Sequence, residues 1–160
     1  EKAWALLSRS ARPSSRGVRT AEGGEARLIH ETKLRVRYSE TDAQGIVNNA
    51  NYLSYFEVGR VDWLRAIGLS YKELERQGYG FVVAEVRAFY KKPAFFDDEL
   101  TLFTELIESK RASFSFGYRL LRNGEVVATG STRHACVELA TGKPLRVPKE
   151  LGARVFGGQP

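Results

Sequence analysis

The residues best equipped for chemistry lie in one stretch, Tyr38 to Tyr52, reading Tyr-Ser-Glu-Thr-Asp-Ala-Gln-Gly-Ile-Val-Asn-Asn-Ala-Asn-Tyr. It carries a carboxylate, Asp42, in a polar, glycine-containing loop that runs straight into the start of a helix. The first backbone N–H groups of a helix have no intrahelical partner, and the helix dipole is positive at that end. An acid and an anion-binding terminus thus lie a few residues apart. Acyl transfer needs that combination, a base or nucleophile beside donors for a developing oxyanion. A structural role for Asp42 stands next to this one, because an aspartate in Thr-Asp-x-x-Gly commonly accepts backbone N–H bonds within its own turn. Asn48 or Asn49 is placed to cap the helix.

Other chemistries lack their marks. No Gly-x-Ser-x-Gly elbow occurs, nor a Walker loop or a Gly-x-Gly-x-x-Gly fingerprint. His30 and His134 are the two histidines and Cys136 the single cysteine. An intramolecular disulfide is therefore excluded, and neither a metal nor a redox cofactor is expected. Five of the basic residues, Lys2, Arg9, Arg12, Arg16 and Arg19, fall in residues 1–20 against Glu1 alone. The rest of the chain is close to charge balance, which argues against a nucleic-acid partner. No apolar run approaches the length of a membrane span.

The elements that must position the loop follow from periodicity. Leu34, Val36 and Tyr38 alternate with Lys33, Arg35 and Arg37, a half-buried strand. After the loop, Tyr52, Tyr55, Phe56, Gly59, Trp63, Ala66 and Ile67 share one face of a helix of about four to five turns that Gly68 would end. Ser70 with Glu73 opens a second, short helix, which Gly78 would stop. Four strands come next: Phe81 to Tyr90, a run from Leu100, a run from Ser113, and Val126 to Leu139. Asn123-Gly124 makes a two-residue hairpin turn between the last two. This order predicts an α+β domain over 27–150, a curved five-stranded antiparallel sheet wrapped around one long helix. Residues 1–26 read as a disordered basic tail, or as the remnant of an Arg- and Ser-rich transit peptide, and 151–160 as a C-terminal tail. One helix cannot cover five strands, and a long strand such as Val126 to Leu139 would leave an edge unpaired, so at least a dimer is expected.

With the loop and the strands in place, the chain resembles the 4-hydroxybenzoyl-CoA thioesterase family of the hotdog fold, including its Tol-Pal-associated branch of acyl-CoA thioesterases. The family pattern, aromatic-x-x-x-Asp-x-x-Gly-hydrophobic-Val-x-x-x-x-Tyr, is met by Tyr38, Asp42, Gly45, Ile46, Val47 and Tyr52. Thr132-Arg133-His134 and Lys143 to Pro148 also look like its closing strands. The resemblance implies hydrolysis of an acyl-CoA to free acid and CoA, with CoA as part of the substrate and no separate cofactor. Asp42 would be nucleophile or general base, and the backbone N–H of Asn49 would polarise the thioester carbonyl. Gly45, Val47, Asn48 and Tyr52 would border the substrate. Lys110 and Arg111, before the fourth strand, are candidate clamps for CoA phosphates or else solvated turn residues. The resemblance further implies a homodimer assembling into a homotetramer, and a cytoplasmic location, with an organelle as the alternative if the basic tail is a transit remnant. An acyl-ACP thioesterase is the runner-up, since plant-type enzymes carry Asp and then Asn-Asn at this spacing, although they add a His where this chain has Ile46. A non-catalytic acyl-CoA-binding module is the rival from another class.

Overall fold

The computed structural model describes residues 28–152; the two tails otherwise lie outside it. Strand β1 is Ile29–Arg35, and a single 3-10 turn at Tyr38–Glu40 leads into the loop. Helix α1 spans Asn51–Ala66 and α2 spans Tyr71–Arg76. Strands β2 (Tyr79–Tyr90), β3 (Glu99–Ser109), β4 (Ser113–Arg122) and β5 (Glu125–Glu138) follow, and a last turn, α3, covers Lys149–Gly152. The five strands form one antiparallel sheet in the order β1-β3-β4-β5-β2. The sheet curves around α1, the hotdog architecture that the sequence predicts.

Local chemistry explains the breaks. Gly68 adopts φ 83°, and α1 ends with the Gly68 N–H on the Arg65 carbonyl and the Leu69 N–H on that of Leu64. That pairing is a Schellman motif, which favours glycine at the left-handed position. The Ser70 hydroxyl accepts the Glu73 N–H at the start of α2. Asn123 and Gly124, at φ 50° and 79°, turn β4 into β5. Register shifts at Val83/Glu85, Leu106/Glu108 and Leu120/Leu121 are β-bulges, which bend strands and raise their twist.

The core lies between α1 and the sheet. Tyr52, Tyr55, Phe56, Gly59, Trp63 and Leu64 are the buried residues of α1; Leu64 belongs to that face, whereas Ala66 is exposed. Phe56 stacks on Tyr118 of β4 with ring centroids 4.4 Å apart. Each large side chain buried this way stabilises the fold by about 1.5–3 kcal/mol relative to its exposure. Leu151 of α3 is fully buried in the same core, so the domain runs past residue 150, where the expected C-terminal tail was to begin.

One expectation about the edges is corrected. β5 is not an edge; it is paired on both sides, by β4 and by β2. The bare long edge is β2, whose Val82, Val83, Val86, Phe89 and Tyr90 are exposed. Sequence alternation identifies a strand but not its neighbours.

Candidate active site

The loop that carries Asp42 is a hairpin turn closed by an isolated bridge between Thr41 and Val47. The Gly45 N–H donates to the Asp42 carbonyl at 2.9 Å, and the Asp42 N–H donates to the Ile46 carbonyl at 3.0 Å. Asp at the first position and Gly at the fourth suit a type I turn, and Gly45 has φ 77°. Open space surrounds the point where a Gly45 side chain would begin, so backbone conformation alone asks for glycine there. Oδ1 of Asp42 accepts the Gln44 N–H at 2.8 Å. Half of the carboxylate therefore does the turn-stabilising work, and Oδ2 has no hydrogen-bond partner among the described residues. Asp42 is half-buried.

The helix start is arranged differently from a simple side-chain cap. The N-cap residue of α1 is Ala50, which has no side chain able to cap. Asn48 serves instead: its Oδ1 accepts the Ala50 N–H at 2.9 Å and its carbonyl accepts the Asn51 N–H at 3.0 Å. Asn49 does not cap the helix. Its carbonyl accepts the Tyr90 hydroxyl at 3.0 Å, while its N–H donates to no described group. An unpartnered N–H at the positive end of a 16-residue helix is a ready donor for an oxyanion.

Glu40 ties the loop down. The residue is 6% exposed, and its carboxylate accepts the Arg37 N–H (2.8 Å), Arg37 Nε (2.9 Å) and the Tyr55 hydroxyl (2.7 Å). Burial alone would raise the Glu40 pKa; the backbone N–H of Arg37, the Tyr55 hydroxyl and the Arg37 guanidinium together hold it below the ordinary value. Burial and the Glu40 charge push the Tyr55 phenol up. The main-chain carbonyl of Glu40 accepts two further bonds, from the Asn48 N–H and from Asn51 Nδ2, each at 2.9 Å.

Asp42, Gly45, Val47, Asn48, Asn49 and Tyr52 thus meet at one loop–helix junction, though not all on an open surface. Val47 is in the core, with its N–H on the Ala94 carbonyl at 2.8 Å. Tyr52 is buried too, edge-on to Tyr55 and Tyr90 at 5.9 and 5.0 Å; burial raises its phenol pKa despite a hydrogen bond at Ala94. Their position is that of a floor beneath the loop. Lys110 and Arg111 are not brought to the junction within one chain. The loop hangs at the Glu99 end of β3, with Val36 and Asp97–Asp98 paired there, whereas Lys110 follows the other end, Ser109. Eleven residues of strand separate those ends, about 35 Å of rise. Lys110 pairs with Glu108, and the Arg111 carbonyl accepts the Val147 N–H.

Neither histidine joins the junction. His134 is 1% exposed, opposite Phe114 near the far end of β5, stacked on that ring and bonded through Nε2 to Thr132 Oγ1 at 2.8 Å. His30 lies on β1, opposite Thr104 in the middle of β3. A surface groove of about 470 Å³ lies at the opposite end of α1 from Asp42, lined by Val61, Arg65, Leu69 and Tyr71 among others. Tyr90 and Glu40 are the site residues that the sequence does not single out.

A hotdog sheet with an acid loop at the head of its helix defines a class, and comparison with known proteins gives the same one. The sequence profile of the thioesterase-like superfamily matches residues 36–155, and the chain belongs to that family. It is 39% identical over 121 residues to the acyl-CoA thioesterase YbgC of Haemophilus influenzae, covering 75% of this chain and 89% of that one. The crystal structure of a DHNA-CoA thioesterase from Staphylococcus aureus superposes with a TM-score of 0.72 at 33% identity, covering 74% of this chain and 80% of that one. The chloroplastic acyl-acyl carrier protein thioesterase ATL3 of Arabidopsis thaliana is 25% identical over 127 residues, 79% of this chain and 67% of that one.

Proposed function

We propose that the protein hydrolyses acyl-CoA thioesters to free acid and CoA without a metal or redox cofactor, in the cytoplasm. The observation that carries this reading is the junction itself: a half-buried carboxylate, Asp42, in the loop that delivers the unpartnered Asn49 N–H. Asp42 attacks the thioester carbonyl directly or takes a proton from the attacking water. The Asn49 N–H, reinforced by the helix dipole, receives the oxyanion as the carbonyl becomes tetrahedral. The C–S bond then breaks and CoA leaves as the thiol once the sulfur is protonated; on the direct-attack route a water then hydrolyses the acyl–Asp42 anhydride, which releases the free acid and restores the carboxylate. A pure acyl-CoA-binding module has no use for an acid at that place.

The unit that carries this out is a dimer built on β2. Tyr90, at the end of the bare edge, touches Asn49, so the site abuts the edge where a second copy would pair. Antiparallel β2–β2 pairing about a two-fold axis sets the Tyr79 end of the partner strand beside Tyr90. Lys110 and Arg111 of a second copy then come to the Asp42 end, two strands in from the shared edge, and this supports their role as phosphate clamps acting across the interface.

The test is Asp42→Asn. The amide keeps an oxygen for the Gln44 N–H, so the turn and the melting temperature should survive, but it is neither a base nor a competent nucleophile. We expect kcat with butyryl-CoA or benzoyl-CoA to fall about a hundredfold or more. A variant with near wild-type kcat would exclude this mechanism. The likeness to ATL3 makes acyl-ACP the second substrate to assay; a kcat/KM higher for acyl-ACP than for the matching acyl-CoA would reassign the carrier.

A further inference from the structure

We propose that Glu40 is the positioning residue of this site: its buried carboxylate, anchored to Arg37 and to Tyr55 of α1, fixes where Asp42 stands relative to the Asn49 N–H. The proposal rests on the acyl-hydrolysis reading above and adds to it a residue that touches no substrate.

Glu40 accepts five hydrogen bonds, three at its carboxylate and two at its carbonyl. The side-chain set joins the exit of β1, through Arg37, to the second turn of α1, through Tyr55. The main-chain set joins the 3-10 turn to Asn48 and Asn51, the residues flanking the helix start. Asp42 lies two residues after Glu40, and Asn49 one residue after the Asn48 whose N–H the Glu40 carbonyl holds. Both reacting partners thus hang from one residue. A carboxylate is kept under protein at this depth only when its oxygens are satisfied, and here they are. Glu40 is not placed for direct acid–base work, because the residue is buried and both carboxylate oxygens are engaged by Arg37 and Tyr55.

The alternative is that Glu40 merely closes the 3-10 turn, where it forms a capping box with Arg37. A turn residue of that kind affects stability and leaves the rate of folded protein alone. The bonds from Tyr55 and Asn51, 15 and 11 residues away, reach beyond the turn. They make the loop-to-helix distance depend on Glu40. A displacement of about 1 Å in such a constellation can lower the rate roughly a hundredfold.

The experiment is steady-state kinetics on the full chain with butyryl-CoA and benzoyl-CoA, at a temperature where circular dichroism shows every variant folded. Glu40→Gln loses an acceptor for one of its three donors. We expect kcat to fall at least tenfold with KM within twofold, since ground-state binding does not depend on the alignment. Tyr55→Phe, which keeps the ring in the core, should lower kcat three- to tenfold at the same KM. The double variant should be no more than twofold slower than Glu40→Gln, because both loosen the same Glu40 anchor. A folded Glu40→Gln with kcat within twofold of wild type, or with a loss confined to KM, overturns the positioning role. Should Glu40→Gln not fold, an unchanged kcat in Tyr55→Phe overturns it alone. Asp42→Asn, measured alongside, separates the two claims. If it is inactive while Glu40→Gln is not impaired, hydrolysis through Asp42 stands and the positioning role fails. If it is fully active, the underlying mechanism fails.

Discussion

Asn48 and Asn49 share the start of α1 unequally, and that division can be measured. Asn48 Oδ1 is the acceptor for the Ala50 N–H, so Asn48→Ala should lose about 1 kcal/mol of stability, the usual cost of an end-of-helix acceptor. Asn49→Ala removes no cap and keeps its N–H; its melting temperature should stay within a degree or two and kcat within tenfold of wild type. A folded Asn49→Ala slowed a hundredfold would give its side chain a part in catalysis. His134 makes a second prediction. Burial, with the positive charge of Arg60 from α1 beside it, lowers its pKa from 6.5 to about 4. Tyr118 and Thr132 extend its polar contacts and Phe114 and Phe116 its apolar ones. Between those two pH values the unfolded chain binds a proton that the folded one refuses, so stability falls as pH drops from 6.5 to about 4. The gap corresponds to on the order of 3 kcal/mol. Urea titrations across that window should show the fall, and His134→Asn should flatten it; a wild-type curve flat from pH 6.5 to 4 would contradict the buried neutral imidazole. At this scale Asp42 and Gly45 were legible because the turn they form is local. Glu40 and Tyr90 were not, because Glu40 is defined by Tyr55 fifteen positions on, and Tyr90 by Asn49 forty-one positions back.

Where α1 and the sheet meet, two glycines set the approach. A Cβ at Gly59 of α1 would stand 2.5 Å from Leu102 Cδ2 and Thr104 Oγ1, both on side chains buried in the core. A Cβ at Gly130 of β5 would stand 2.5 Å from the Phe56 ring and 2.6 Å from the Arg87 carbonyl of the neighbouring strand. Backbone in a paired sheet yields less readily than a side chain. Gly130→Ala should therefore be the more damaging, destabilising by about 1–3 kcal/mol or more as overpacking does, with Gly59→Ala milder. Chemical denaturation orders the two, and the reverse order would mean that β2 shifts more easily than the α1–β3 contact. The sequence shows both glycines without showing their neighbours. Elements fared better than contacts: the period of α1, the Gly68 stop, the Ser70–Glu73 cap and the Asn123-Gly124 turn are each local in cause and were each readable. Strand order is not local. β1 pairs with β3 and β2 with β5, between partners from 38 (Tyr90 and Ala128) to 76 (Ile29 and Glu105) positions apart, and no alternation pattern encodes that choice.

Across the whole molecule, coverage of the sheet is lopsided. α1 packs chiefly on β1, β3 and β4, and β2 meets the helices through the short α2 and at Tyr90, whose ring lies against Tyr52. β2 is a twelve-residue edge strand carrying exposed Val82, Val83, Val86, Phe89 and Tyr90. Edge strands that stay monomeric are commonly short, charged or interrupted by proline. This one has a single bulge and one acid–base pair, Glu85 with Arg87, whose glutamate also reaches Arg133 of β5. In the dimer proposed above, β2–β2 pairing would set the Asp42 junction of one chain against the Tyr79 end of the next. Stability and activity should then depend on the same surface. Val83→Lys with Val86→Lys places like charges on two facing strands, where each is repeated by the two-fold axis. Sedimentation at micromolar concentration should show wild type as a dimer or a higher even assembly and the double variant as a monomer. The monomer should keep the helix and sheet content of the fold, since neither side chain belongs to the core, yet hydrolyse acyl-CoA at least tenfold more slowly at saturating substrate. A wild-type monomer with full activity, or a monomeric double variant as fast as wild type, would show that each chain holds a complete site and that the β2 edge serves some other end.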